Sequence, residues 1–340
     1  MSSQLNQPVQ YILSGLRPTG RVHLGNYFGA VKNWVDLQER HPGLYMVADW
    51  HALTSDYADP SKIRQAVFDA VADWLAAGLD PAKVGIFLQS EVKEHAELHL
   101  LLSMVTPLPW LERVPTFKDQ QQQLEDKDLN TYGFLGYPLL QTADIIVYRA
   151  SHVPVGEDQA SHLELSREIV RRFNNFYGPV FPEPSPLFTA TPKVPGLDGR
   201  KMSKSYGNTI GLTASADEIR AAVSTMFTDP NRVRRSDPGN PDICNLFRFH
   251  ELFSDDATKA RVDHECRTAQ IGCVQDKKLL SEIMIEALAP LRARREVIDR
   301  DPSIVWNVLR EGNAKARERA AETLTIVRDA MKIDYPELRR

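Results

Sequence analysis

Short apolar runs alternate with helix-like periodic segments through the first half of the chain. Residues 9–15, 44–50 and 84–89 are apolar runs whose length and composition are typical of buried strands. A helix is predicted to begin near Gly25, where apolar side chains recur at helical spacing. Residues 60–78 predict a second helix, which opens with a proline and closes with a glycine. Strands that alternate with helices predict an α/β fold with a parallel sheet and crossover helices.

The pattern loosens between about residues 101 and 136, where prolines, a glutamine run and a charged segment predict an insertion carrying mobile loops. The sheet is expected to resume at residues 145–155, and a helix is expected to follow through Arg172. Sequence rich in proline and glycine at residues 179–199 predicts another long loop.

Helical periodicity dominates the chain beyond Thr213, notably at residues 277–295 and 303–331, and no convincing strand follows. This change of character places a domain boundary near residue 210. The sequence therefore predicts a sheet-containing domain over residues 1–210, which includes the insertion, and a helical domain over residues 211–340.

Composition narrows the functional classes. The 340 residues are 42% hydrophobic and 25% charged, which is ordinary for a globular protein. The polar N-terminus does not resemble a signal peptide, and no apolar run approaches the ~18 residues that a membrane-spanning helix needs. Three cysteines do not make a disulfide framework. We therefore expect a soluble cytoplasmic protein with no membrane partner. A net charge of −4 argues against non-specific nucleic-acid coating, but it allows a local basic face for a shaped RNA.

The first chemical motif lies where the predicted strand at residues 9–15 runs into the following helix. Glycines in such a turn let the backbone approach a ligand, and the helix N-terminus supplies unpaired N–H groups. Arg17, His23 and Asn26 would direct donors or charge towards the same phosphates. A βα turn with glycines needed only for geometry is the alternative. The motif is neither a G-x-G-x-x-G fingerprint nor a P-loop.

The second motif is Lys201-Met202-Ser203-Lys204-Ser205, in a loop between the two halves. Two lysines and two hydroxyls can hold a pyrophosphate whose charge grows as it leaves. Met202 would anchor the loop on apolar surface. A solvated basic turn is the alternative, and it becomes less plausible once the two motifs are considered together.

These motifs carry a family resemblance. Residues 201–205 match the KMSKS motif of class I aminoacyl-tRNA synthetases, and residues 23–26 (HLGN) resemble their HIGH motif. Asn26 replaces the final histidine, as is characteristic of tryptophanyl-tRNA synthetases. Segments at residues 48–54, 89–95, 137–145 and 153–159 are also similar to that family. The resemblance implies a Rossmann-like catalytic domain followed by an all-helical anticodon-binding domain.

The resemblance also implies ATP and Mg²⁺ as cofactors, L-tryptophan and tRNA(Trp) as further partners, and a homodimer. The catalytic residues that the resemblance implies are His23, Asn26, Lys201 and Lys204. The residues implied for ATP binding are Arg17, Pro18, Thr19, Gly25, Asn26, Gly156, Glu157, Asp158, Val194, Lys201, Met202, Ser203, Lys204 and Ser205. Those implied for tryptophan binding are Asp144, Gln141, His51 and Gln159.

Asp144 is the residue most informative about the amino acid. The indole N–H is only a donor, so an apolar slot needs an acceptor at its end. A phenol could use the same acceptor, so tyrosyl-tRNA synthetase is the nearest alternative. A catalytically silent RNA-binding paralogue and a nucleotidyltransferase of the wider superfamily are the others. Gln141 is predicted to bond either the substrate's amino group or Asp144. Gln120 replaces a lysine common in the family, so Lys118 is a candidate substitute.

Cys244, Cys266 and Cys273 all lie in the helical half. Some tryptophanyl-tRNA synthetases resemble this region but have four cysteines that hold an iron–sulfur cluster, and here Asp276 stands at the fourth position. A carboxylate is a poorer cluster ligand than a thiolate, so three ordinary buried thiols are favoured over a cluster. Cations in the last two helices predict either a solvated, salt-bridged face or anticodon contacts.

Overall fold

A five-stranded parallel sheet forms the centre of this computed structural model, which describes residues 11–114, 129–155, 160–188 and 194–339. The strands are β1 (Ile12–Leu16), β2 (Gly43–Val47), β3 (Gly85–Leu88), β4 (His152–Val155) and β5 (Ser185–Phe188). Their order is β3-β2-β1-β4-β5, and all neighbours are parallel. The order reverses between β1 and β4, where α/β proteins open a ligand crevice at the carboxyl ends of the strands. The predicted α/β class is confirmed.

Helices connect the strands. The first, α1, starts as Leu24–Asn26 and continues through a π-helical turn (Tyr27–Val31) into Lys32–Leu37. The others in this half are α2 (Asp49–Asp56), α3 (Ile63–Ala77), α4 (Glu94–Ser103), α5 (Leu108–Glu112), α6 (Tyr132–Leu135), α7 (Tyr137–Ile146) and α8 (Ala160–Tyr177). Gly78 follows α3 with a φ of +110°, which explains the glycine at that helix end.

The second half is helical, as predicted. Its helices are α9 (Ala216–Thr225), α10 (Asn245–Phe253), α11 (Asp256–Arg267), α12 (Cys273–Arg300) and α13 (Ser303–Ala330). The described residues 194–339 contain no strand of the sheet. In the part of the chain that the structure describes, no helix combines the length and the apolar character needed to cross a membrane.

Two expectations for the middle of the chain are wrong. The strand expected at residues 145–155 begins only at His152, because α7 continues to Ile146. The stretch at 179–199, expected to be a loop, contains β5. That strand lies at the sheet edge and carries Pro186, a residue that sequence patterns assign to loops but that edge strands tolerate.

Two further segments differ in extent from the prediction. The insertion expected at about residues 101–136 is partly helical, since α5 and α6 lie in it. Its glutamine run and charged segment fall within residues 115–128, outside the described residues. Helix α8 continues to Tyr177 rather than ending near Arg172.

The helix α13 covers one edge of the sheet by packing against β3. A Cβ on Gly312 would lie 1.8 Å from the Ile86 carbonyl oxygen, so only glycine allows this approach. The Leu88 N–H donates to Asn313 Oδ1 at 2.9 Å. An edge strand that would otherwise offer unpaired backbone groups is thereby covered. One hydrophobic core also joins residues on both sides of position 210, and the domain boundary there stays a prediction.

Candidate active site

The first motif forms the turn after β1 and the start of α1. Gly20 has a φ of +91°, a conformation that favours glycine. His23 is the N-cap of α1, and its Nδ1 accepts from the Asn26 N–H at 3.3 Å. Around it, Leu24 N donates to the Ile210 carbonyl at 2.9 Å, and Leu212 N donates to the Val22 carbonyl at 2.8 Å. Residues 22–24 are therefore paired with the segment that follows the second motif.

Gly25 lets the second motif lie directly on the first. Its N–H donates to Met202 Sδ at 3.3 Å. A Cβ there would lie 2.9 Å from His23 Nδ1 and 3.3 Å from Met202 Cβ, so a larger residue would push the two apart. Met202 is buried, as predicted for the anchor of the loop.

Lys204 reaches back across the cleft to the first motif. Its Nζ donates to the Thr19 carbonyl at 2.6 Å. Burial and the Lys204 charge lower the pKa of His23 to about 4, so the imidazole is neutral at physiological pH. A neutral histidine and a lysine whose own pKa is lowered by burial thus flank one region, which suits a ligand with several anionic oxygens.

Asn208, which the sequence analysis missed, holds the second motif in shape. Its Oδ1 accepts from the Ser203 N–H at 2.8 Å. Its Nδ2 donates to Asp198 Oδ1 at 2.7 Å and to the Lys201 carbonyl at 3.3 Å. The loop closes as a hairpin in which Met202 N donates to the Val194 carbonyl at 3.4 Å. An asparagine three residues after the motif is an ordinary turn residue, so no local signal marked it.

Four other residues predicted for the ATP site lie along the same two segments. Arg17 is exposed and Pro18 is buried in the turn after β1. Ser205 is exposed and Val194 is buried in the hairpin. Gly156, Glu157, Asp158 and Gln159, predicted to bind ATP or tryptophan, lie outside the described residues.

Asp144 is the centre of a second polar cluster. The side chain is 1% exposed, on α7. Its Oδ2 accepts from His51 Nε2 at 2.7 Å, and its Oδ1 accepts from Gln89 Nε2 at 2.8 Å and His95 Nδ1 at 2.6 Å. Burial alone would raise the pKa of Asp144, but the hydrogen bonds and charges of His51 and His95 hold it below its usual value. The carboxylate is therefore ionised and acts only as an acceptor.

Gln89 and His95 belong to this cluster although the sequence analysis assigned them no role. Gln89 Oε1 accepts from the Trp50 N–H at 3.1 Å, and His95 Nε2 lies 2.6 Å from the Tyr148 hydroxyl. Both are fully buried. A signal was present, because Gln89 directly follows β3 and polar residues at carboxyl strand ends meet at one edge of a parallel sheet.

Gln141 contacts His162 rather than Asp144, and its predicted bond to the substrate's amino group stays a prediction. Its Oε1 lies 3.0 Å from His162 Nδ1 on α8, and the other ring nitrogen of His162 faces the Tyr137 hydroxyl at 3.5 Å. The amide therefore belongs to a chain of polar groups beside the Asp144 cluster, on the same helix as Asp144.

Two of the three cysteines lie beside an arginine. Arg232 Nη1 lies 3.8 Å from Cys266 Sγ and 4.0 Å from Cys273 Sγ. Asp276 Oδ1 lies 3.0 Å from His250 Nε2. Burial raises the pKa of Cys266 to about 11, although Arg232 opposes the shift. Among the described residues, no group of three histidine, cysteine, aspartate or glutamate side chains is placed to hold a metal ion.

Cations of α13 contact the sheet half of the protein. Arg319 Nε donates to the Tyr148 carbonyl at 2.8 Å and stacks over the Tyr11 ring at 3.7 Å. Arg317 Nη2 pairs with Glu91 at 2.7 Å. These two arginines bind α13 to the sheet half of the protein. The anticodon contact expected for this helical half stays a prediction that no residue is assigned to.

Comparisons with known proteins agree with this geometry. The sequence profile described as tRNA synthetases class I (W and Y) matches residues 6–289. The tryptophan–tRNA ligase of Thermotoga maritima is 53% identical over 326 residues, which are 95% of this chain and 99% of that protein.

Solved structures give the same result. Tryptophanyl-tRNA synthetase from Campylobacter jejuni, complexed with ADP and tryptophan, superimposes with a TM-score of 0.87 at 34% identity, covering 95% of this chain and 99% of that one. Tyrosyl-tRNA synthetase from Archaeoglobus fulgidus, complexed with L-tyrosine, shares the fold, with a TM-score of 0.64 and 20% identity over 84% of this chain and 90% of that one. The chain therefore belongs to the class I aminoacyl-tRNA synthetases of the tryptophanyl and tyrosyl family.

Proposed function

We propose that the chain is a tryptophan–tRNA ligase, which activates L-tryptophan with ATP and transfers it to tRNA(Trp). The observation that carries this proposal is the contact between the two signature segments. Gly25 and Thr19 of the first touch Met202 and Lys204 of the second, so a triphosphate would meet both at once. The relatives described above support tryptophan as the amino acid.

Activation is an in-line attack of the tryptophan carboxylate on the α-phosphorus of ATP, which expels pyrophosphate. The reaction needs no protein nucleophile, so positioning and charge stabilisation carry the catalysis. Lys201 and Lys204 supply positive charge where pyrophosphate gains negative charge, and His23 and Asn26 supply neutral donors. Mg²⁺ would be held mainly by the triphosphate oxygens, because it needs few dedicated protein ligands, and it would offset part of their negative charge. The 2′-OH of the terminal adenosine of the tRNA then attacks the adenylate.

Asp144 supplies the acceptor for the indole N–H. Among the described residues, its Oδ2 accepts from His51 alone, which leaves a lone pair for a substrate donor. Gln89 and His95 fix the opposite oxygen and so hold the carboxylate plane. We also assign Gln141 to the tryptophan side of the site, where it acts through His162.

The cellular location of this enzyme, for which we expect the cytoplasm, stays a prediction.

Tyrosine is the second candidate substrate, because a phenol can donate to the same acceptor. The tyrosyl enzyme compared above shares the fold at low identity, whereas the tryptophanyl relatives match at 34% and 53%. A catalytically silent paralogue is disfavoured because His23, Lys201 and Lys204 are all present. ATP–pyrophosphate exchange with tryptophan and tyrosine in turn tests the function directly, and exchange with tyrosine alone, or with neither, would contradict it.

A homodimer is our further proposal for the working enzyme. Leu100 and Met104, one helical turn apart at the end of α4, are 56% and 67% exposed. Leu108 and Tyr132, in the predicted insertion, are 54% and 65% exposed, and the Tyr132 ring lies beside His99 of α4. Large apolar side chains in such numbers mark an interaction surface, and a second copy of this chain is the occupant we assign, since two-fold self-association is the commonest oligomeric solution.

Asp144→Asn should raise the transition-state free energy for tryptophan by about 1–3 kcal/mol, measured as a lower kcat/KM, and leave the KM for ATP nearly unchanged. The reason is that the amide is a weaker acceptor than the carboxylate and that the donors around it lose a charged partner. Pyrophosphate exchange measures both constants. Asp276→Asn is the matched control, a buried aspartate paired with a histidine in the helical half. Equal losses for tryptophan and ATP would remove Asp144 from the amino-acid pocket.

Lys204→Ala should slow adenylate formation on the order of 10²-fold, because the growing charge on pyrophosphate loses its partner. ATP affinity should change far less, and transfer of preformed adenylate to tRNA should be nearly spared, since no pyrophosphate leaves in that step. Lys201→Ala should behave alike. Stopped-flow activation beside single-turnover transfer separates the steps, with Lys259→Ala on the surface of α11 as control. Equal slowing of both steps would contradict a catalytic role.

The protein purified anaerobically should contain no stoichiometric iron or sulfide and no charge-transfer absorbance. The physical reason is that the sequence has only three cysteines, the Arg232 guanidinium lies beside two of them, and Asp276, at the fourth position, is paired with His250. Metal analysis and visible spectroscopy provide the measurement. Stoichiometric iron with sulfide would show that the three cysteines suffice.

Light scattering should give a mass near twice 38.4 kDa. Met104→Glu should shift the protein towards monomer, because it places a charge in the proposed apolar interface. Val274→Glu, at an equally exposed position on α12, should leave the mass unchanged. A wild-type mass of one chain at all concentrations tested would contradict the dimer.

A further inference from the structure

Asp73 on α3 is a fully buried carboxylate with no place in the chemistry described above. Its Oδ2 accepts from the Val22 N–H at 2.7 Å, immediately before His23 in the chain. Its Oδ1 accepts from the Thr213 hydroxyl at 3.0 Å, eight residues after Ser205. One side chain therefore binds the first signature segment next to His23 and the segment that follows the second signature.

Arg295 of α12 binds the same carboxylate. Its Nη1 donates to Asp73 Oδ1 at 2.7 Å, its Nη2 to Asp69 Oδ1 at 2.7 Å, and its Nε to Asp299 Oδ1 at 2.8 Å. Arg295 is 4% exposed, so this ion pair is screened little by water. The helical half of the protein is thereby joined to Asp73.

The backbone around these contacts explains what Asp73 can do. Residues 22–24 and 210–212 form an antiparallel pair centred on His23 and Gly211. Asp73 spans the end of that pair by holding Val22 on one strand and Thr213 on the other. A shift of its carboxylate would change the separation of the two segments, and with it the placement of His23 relative to the second motif.

We propose that Asp73 is a positioning residue for tryptophan activation. It fixes the two signature segments at the separation that the transition state requires, and Arg295 makes that separation depend on the position of α12. Displacement of reacting groups by about 1 Å is enough to slow an enzymatic reaction on the order of 10²-fold, so a residue that never touches substrate can control the rate.

Asp69 provides a matched control. It shares the Arg295 ion pair at the same 2.7 Å distance, one turn earlier on α3. Both carboxylates also raise the pKa of Lys204, against the lowering effect of burial. Asp69→Asn and Asp73→Asn therefore remove the same charge near Lys204 and the same kind of Arg295 partner. Only the second change disturbs the hydrogen bonds to Val22 and Thr213.

The experiment compares Asp73→Asn and Asp69→Asn in the full-length enzyme. Active-site titration first gives the concentration of competent sites, so that partial unfolding does not count as slow chemistry. Asp73→Asn should slow adenylate formation per active site on the order of 10²-fold, with the KM for tryptophan unchanged and transfer of preformed adenylate nearly spared. Asp69→Asn should stay within about threefold of wild type.

Three outcomes would overturn the proposal: equal slowing in the two variants, equal slowing of activation and transfer in Asp73→Asn, or a wild-type rate in that variant. If Asp73→Asn does not fold, Thr213→Val decides, because it removes one hydrogen bond and leaves the ion pair. It should slow activation about fivefold, the equivalent of one hydrogen bond. Thr323→Val, a buried threonine on α13, is its control, and equal rates for these two would also contradict the proposal.

Discussion

Two backbone hydrogen bonds between residues 22–24 and 210–212 are the constraint on which the active site depends. They join segments almost 190 positions apart in the chain, so neither signature is in place until the long-range pairing has formed. Everything local to the site presupposes this pairing, including the contact of Gly25 with Met202 and that of Lys204 with Thr19. The loop after β1 is thus one half of a structure whose other half comes from the hairpin.

Two buried aspartates organise the protein in different ways. Asp144 is surrounded by side-chain donors from three other segments, and we assign its remaining acceptor capacity to the substrate. Asp73 is bound by a backbone N–H, a hydroxyl and a guanidinium, so its acceptor capacity is used within the protein. Burying an ionised carboxylate is costly unless each oxygen finds partners. Both sites meet that condition.

The features predicted from the sequence are those that hydrophobic periodicity or a short motif specifies locally. The strands β1 to β3 and the two last helices followed from periodicity, because each is long or strongly apolar. The strand β5 was not predicted because it has only four residues, lies at the sheet edge and contains Pro186. The motif letters located His23 and Lys204. The roles of Gln89, Asn208 and Asp73 escaped because each depends on partners distant in the chain, which no local pattern reveals.

The placement of α13 on β3 has a consequence for how the protein is made. Strand β3 leaves the ribosome early, whereas the helix that covers its edge is synthesised much later. The edge of β3, including the Leu88 N–H, therefore stays uncovered until Asn313 has been synthesised. Exposed strand edges pair readily with other chains. A nascent polypeptide truncated before residue 303 is therefore expected to aggregate more readily than the full-length chain.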